Sequence, residues 1–187
     1  MKKIFIILTK SPTLLSRSIG WITKDEYTHS SISFNSTIQP MYSAGRKYAF
    51  SMFPASLKVE PLDKSFYKYF NKSKMGIYYI EVSEQAYYKT KEFVETMVAK
   101  RLPFNAIGLL LCKTKIDYLR KGRFFCSEFV STALQQSGEI DIIKKPNLFR
   151  PEDFLKIKGI KFVYKGIIKD AVGRDFKDLL PKEDGNK

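Results

Sequence analysis

The chain has 187 residues, is 44% hydrophobic and 14% aromatic, and carries a net charge of +14 from 33 basic and 19 acidic residues. That length suits a single domain whose core needs neither disulfides nor metal, and the composition is that of a folded globule rather than a disordered segment. The lysines run along the whole sequence with no dense basic arm. They read as a solvated surface that permits an anionic partner, and nucleic acid is disfavoured.

Two cysteines, Cys112 and Cys126, do not make a disulfide framework, so a reducing compartment is expected. No stretch approaches the roughly 18 apolar residues of a membrane span. The opening Met1-Lys2-Lys3 followed by Ile4 to Leu8 is too short for the roughly 7–15 apolar residues of a secretory signal core. It reads as a buried strand, 3–9, in a cytoplasmic protein.

Ser11-Pro12 opens a predicted helix with Leu14, Leu15, Ile19 and Ile22 on one face, the proline tolerated at the first position. Residues 27–34 alternate and are rich in β-branched and aromatic types, which predicts a strand with His29, Ser31 and Ser33 on one face. After the turn Asn35-Ser36-Thr37, Gln39 to Ser43 is expected to pair back as a hairpin. Positions 46–61, with two prolines, read as irregular.

A short helix over 62–70 and a strong strand over 75–82 follow. Ser83 then caps the longest helix, 84–101, which Pro103 ends. A helix over 105–112 contains Cys112, and a basic loop (Lys113, Lys115, Arg120, Lys121, Arg123) leads to Cys126. Beyond it Phe129, Val130, Ala133 and Leu134 repeat with helical period. A short helix opens at Pro151, a last strand covers 161–168, and 170–187 is a charged, fraying tail. The whole of 1–187 is one α+β domain.

Cys126 thus falls in the first turn of a helix, where free N–H groups and the helix dipole favour a thiolate. A cysteine nucleophile needs a histidine in reach and a polar group to orient it, and His29 is the single histidine. Each residue also has a purely structural reading: an inert core thiol among phenylalanines, and a satisfied strand histidine. No histidine cluster or CxxC pair points to metal, no glycine-rich loop to a bound phosphate, and no cofactor is implied. The segment Phe66 to Lys74 mixes aromatics with lysines. It reads as a helix docked on the core, with a membrane or base-stacking surface as the alternative.

Tyr27-Thr28-His29-Ser30-Ser31-Ile32 and Phe124-Phe125-Cys126-Ser127-Glu128-Phe129-Val130, in that order and about a hundred residues apart, resemble the circularly permuted branch of the papain-like NlpC superfamily. That branch includes the bacterial YiiX-like proteins and, more distantly, the lecithin retinol acyltransferase group. The likeness extends over most of 1–168, including Met41 to Arg46, Pro103-Phe104-Asn105 and Pro151-Glu152-Asp153. It implies an antiparallel sheet packed against helices, with the Cys126 helix N-terminus against the histidine face. It also implies Cys126 as nucleophile and His29 as base.

On this alignment Ser43 stands where the family often has a glutamate, and Phe104 where it tends to have an oxyanion-binding tyrosine. Tyr27, Tyr42, Phe104 and Asn105 would line the substrate groove, with core packing as the alternative for the aromatics. The implied activity is hydrolysis or acyl transfer on a small peptide-like amide or acyl ester. An anionic membrane surface is the further partner this reading allows. The competing class is a non-catalytic binding module on the same fold, using its basic surface for membrane or nucleic acid.

Overall fold

The computed structural model describes residues 1–10, 25–48, 51 and 54–181. The helix expected after Ser11-Pro12 lies outside the described residues. Strands β1 (Lys2–Thr9), β2 (His29–Ser33), β3 (Met41–Arg46), β4 (Ala55–Glu60), β5 (Lys74–Val82) and β6 (Lys161–Ile167) form one antiparallel sheet in the order β4-β3-β2-β1-β5-β6. The helices are α1 (Ser65–Tyr69), α2 (Glu84–Ala99), α3 (Ala106–Lys113), α4 (Cys126–Gln136) and α5 (Ile168–Ala171). Short 3-10 turns occur at Pro146–Leu148, Pro151–Lys156 and Lys177–Leu179. The fold is α+β, a six-stranded antiparallel sheet packed with helices.

Strand β1 explains the sheet. Its apolar run is continuous because both faces are covered, the pattern expected of a strand buried on two sides. Ile4, Ile6 and Leu8 point to one core, shared with Ile32, Phe34, Tyr42, Ala44 and the α4 residues Phe129, Val130, Ala133 and Leu134. Phe5 and Ile7 point to a second core, shared with Met75, Ile77, Tyr79, Tyr67 and Phe176. Pairing of Ile6 with Ile32 and of Ile7 with Ser31 carries this alternation into β2.

Three expectations are corrected. Positions 46–61 contain β4, which pairs with β3 from Met41↔Glu60 to Arg46↔Ala55. The prolines at 54 and 61 bound this strand rather than interrupt it. The segment after 170 does not fray at once: Ala171 and Phe176 are buried in the second core, and the Phe176 amide donates to the Ser36 carbonyl. Third, α4 packs on the sheet face carrying Ile32 and Phe34, opposite the one carrying Ser31. The segment from Phe66 follows its docked reading, with Tyr67 buried and the Phe66 and Phe70 rings in tilted contact, 4.7 Å between centroids.

Helix starts follow local chemistry. The Ser83 hydroxyl accepts the Ala86 amide and caps α2, and the Asn105 side chain accepts the Gly108 amide and caps α3. Helix α4 has no small polar cap. Instead the Glu128 carboxylate, one turn in, accepts the Phe125 amide at 3.2 Å, half of a capping box.

Candidate functional site

His29 is the first residue of β2 and Cys126 the first of α4. The helix and the histidine lie on opposite sides of the sheet, yet the two side chains meet at the strand's end, where His29 is hydrogen-bonded to Cys126. The thiol also takes hydrogen bonds from the backbone of Ser30 and Ser127. It therefore joins α4 to β2 by two contacts, with His29 and Ser30, at one point.

The other side of the imidazole is held by Glu60, the last residue of β4, with Nε2 2.8 Å from Oε2. This leaves Nδ1 as the ring nitrogen for the thiol. Two more donors fix the same carboxylate oxygen: the Ser31 hydroxyl at 3.1 Å and the Tyr67 hydroxyl, from α1, at 3.2 Å. Gly45 supplies the space. A Cβ there would lie 2.1 Å from Glu60 Oε1, so only glycine lets the carboxylate lie across β3.

The electrostatics follow from burial and pairing. Burial works against charge on Glu60, but the His29 charge and hydrogen bond, Lys58 and Ser31 outweigh it and hold the carboxyl at about 2. Burial likewise opposes the imidazolium, and the charges of Glu60 and Cys126 raise His29 to about 10. Burial would push the Cys126 thiol up, while His29 and the two backbone contacts bring it below its ordinary value. A carboxylate, an imidazolium and a thiolate in line are mutually consistent. Cys112 is the contrast: burial pushes its thiol up to about 11, with Sγ facing the Phe149 carbonyl.

Cys126 is 5% exposed and borders a small cleft. The cleft walls include Tyr27, Thr28, Ser127, Leu109 and Arg150. Arg150 pairs with Asp25 at 3.5 Å across the mouth.

Of the residues expected from sequence, Cys126, His29 and Tyr27 come together here. Ser43 does not face the imidazole: its hydroxyl donates to the Ser30 carbonyl at 2.7 Å, bracing β3 against β2. Tyr42 is packed against Phe34 and donates to Glu95 of α2 at 3.3 Å, away from the cleft. Asn105 is fully buried, with its amide shared between the α3 cap and Glu128, so it is structural. Phe104 packs against the first core, its amide bonded to the Ala55 carbonyl, and does not line the cleft.

Glu60, Tyr67 and Gly45 were missed. The signal for Glu60 was present in Pro54-Ala-Ser-Leu-Lys-Val-Glu-Pro61, an alternating strand closed by proline at both ends. Among the described residues no group of three or more His, Cys, Asp or Glu side chains could hold a metal ion, and no helix is long and apolar enough to cross a membrane. In comparisons with known proteins, no family model and no curated protein matches this chain.

Proposed function

We propose that the protein is a cysteine-nucleophile hydrolase or acyltransferase of permuted papain-like fold, acting on an amide or ester carbonyl in the cleft beside Cys126. One observation carries the reading: the only histidine of the chain lies between the cysteine at a helix N-terminus and a buried carboxylate 2.8 Å from its far nitrogen. That is the order of parts nucleophilic thiol catalysis needs, the base oriented by a third group.

In this mechanism the Cys126 thiolate attacks the carbonyl carbon and the carbonyl π electrons move to oxygen. As the tetrahedral intermediate collapses, the His29 imidazolium gives its proton to the departing amine or alkoxide, leaving a thioester on Cys126. Water, or a second acceptor alcohol or amine, then loses a proton to His29 as it attacks the thioester, and the Cys126 thiolate leaves, restoring the thiolate–imidazolium pair. Glu60 keeps the imidazole oriented and favours its charged form throughout. Amide groups at the start of α4, beside the thiol, are the donors offered to the oxyanion.

The test is alkylation of the thiols by iodoacetamide as a function of pH, read by peptide mass spectrometry. Cys126 is expected to react well below pH 8 and Cys112 to stay unmodified, with the low-pH limb lost in His29→Ala. A Cys126 whose alkylation ignores His29 would remove the basis of the mechanism. It would then favour a binding module.

A further inference from the structure

Helix α3 is unlike the other helices in having no polar residue between its cap and Lys113. It buries Gly108 and Cys112 against the protein and shows solvent the other side, with Ile107 48% and Leu110 57% exposed. The loop that follows adds Ile116 at 52% and Leu119 at 69%. The Ile116 amide, bonded to the Leu111 carbonyl, folds this loop back on the helix end. Asp117 is bound to Lys145 and, at 2.7 Å, to Asn147, which brings Ile143, 47% exposed, to the same region. Five of the six exposed leucines and isoleucines among the described residues therefore belong to 107–119 and the segment tied to it; the sixth is Leu179. Single exposed aliphatics need no explanation, but a cluster does.

The same stretch carries Lys113, Lys115, Arg120, Lys121 and Arg123. None of these five takes part in the ion pairs formed among the described residues. Exposed aliphatic side chains in one stretch with cations that form no ion pair among the described residues are the composition of a surface that lies in the headgroup region of an anionic bilayer. The alternatives fit less well. Base stacking calls for exposed aromatic rings, and the one aromatic residue of the loop, Tyr118, is half-buried. A second copy seated on this face would bring five cations against five.

We propose that α3 and the 114–123 loop form a docking surface for anionic membranes, Leu110 and Leu119 entering the headgroup layer and the basic residues meeting lipid phosphates. Leu109, Cys112 and Lys113 of the same helix line the cleft, so the docked helix would form the wall between the cleft and the lipid. The docking does not depend on the chemistry at Cys126, and Cys126→Ser is expected to dock as the wild type does.

The experiment is sedimentation of the full chain with vesicles of phosphatidylcholine alone and of phosphatidylcholine with about one-third phosphatidylglycerol, at about 0.1 M salt, where surface charges are only partly screened. Folding of each variant is checked by circular dichroism. Binding is expected to the anionic vesicles only. Replacing Lys115 and Lys121 together by Gln should weaken it about 25-fold, fivefold for the ~1 kcal/mol each cation contributes at such a surface. Leu110→Gln with Leu119→Gln should weaken it at least tenfold, and Leu179→Gln should leave it unchanged. Equal binding to both vesicle types, or wild-type binding by the double leucine variant, would overturn the proposal. So would salt-sensitive binding to a single-stranded oligonucleotide in place of the vesicles, or a dimer that the leucine substitutions dissolve.

Discussion

Glu60→Gln isolates what the carboxylate does, because the amide keeps the shape and can still accept from Ser31 and Tyr67 while losing the charge. The carboxylate oxygen lies 2.8 Å from the imidazole nitrogen. At that distance a unit charge pair is worth about 6 kcal/mol at an effective dielectric constant of 20 and about 1.5 kcal/mol in bulk water. The site lies between these limits, since the His29 and Glu60 side chains are 19% and 9% exposed. Even the lower bound is about one pKa unit, or tenfold in the imidazolium-to-imidazole ratio, so His29 should lose its charge a unit or more below the value of about 10 it has beside Glu60. The titration midpoint of the single imidazole in Glu60→Gln, followed by its proton NMR resonances, should therefore fall by about a unit or more. Glu60→Asp, charged but too short to reach, should fall between. A midpoint unmoved in Glu60→Gln, with the protein folded by circular dichroism, would refute the account: the imidazolium would owe nothing to the carboxylate.

Gly45→Ala places a methyl 2.1 Å from Glu60 Oε1. It should lower the His29 midpoint as Glu60→Gln does and cost about 1–3 kcal/mol by overpacking, measured by urea unfolding; a variant as stable as wild type with an unmoved midpoint would contradict the contact. His29 is raised to about 10, so its stabilising charge is fully present below its unfolded value of 6.5 and lost as pH rises through about 10. Glu60, depressed to about 2, contributes stability above 4.5 that is lost as pH falls through about 2. Unfolding free energy followed against pH should fall over the alkaline interval in wild type and flatten there in His29→Ala. Glu128 is buried, with Oε1 unpartnered, and burial raises it to about 7 against the hydrogen bonds from Phe125 and Asn105. Above 4.5 its charge favours the unfolded chain, so Glu128→Gln should gain stability relative to wild type as pH rises to 7, by an amount of the order of 3 kcal/mol. Calorimetric melting at two pH values would expose the opposite sign.

Much of the fold could be read because its elements bury one clear face or two. The alternation of 27–34 gave β2, and the helical period beyond Cys126 gave α4, so the thiol and the imidazole could be nominated as a pair. What could not be read is how the elements lie over one another. Ser43 looked suited to the imidazole because it follows β2 in the next strand, but side chains reach sideways as well as straight out. Glu60 arrives from one strand further, through room that Gly45 leaves open, and no local pattern announces a vacancy. Asn105 and Tyr42 were polar groups whose partners, Glu128 and Glu95, are distant in sequence. The burial of Phe176 depended on a second core that only the assembled sheet reveals.

The thiol belongs to the helix layer on one side of the sheet, while its imidazole and carboxylate belong to the other, and they touch only around the end of β2. A seam of this kind reports on both halves at once. Loosening of α4 withdraws the sulfur, and loosening of α1 or β4 withdraws the carboxylate that orients the ring. The rate at which Cys126 is modified under mildly destabilising conditions should therefore follow whichever layer opens more easily. A single chemical label would rank the two cores by their resistance to opening.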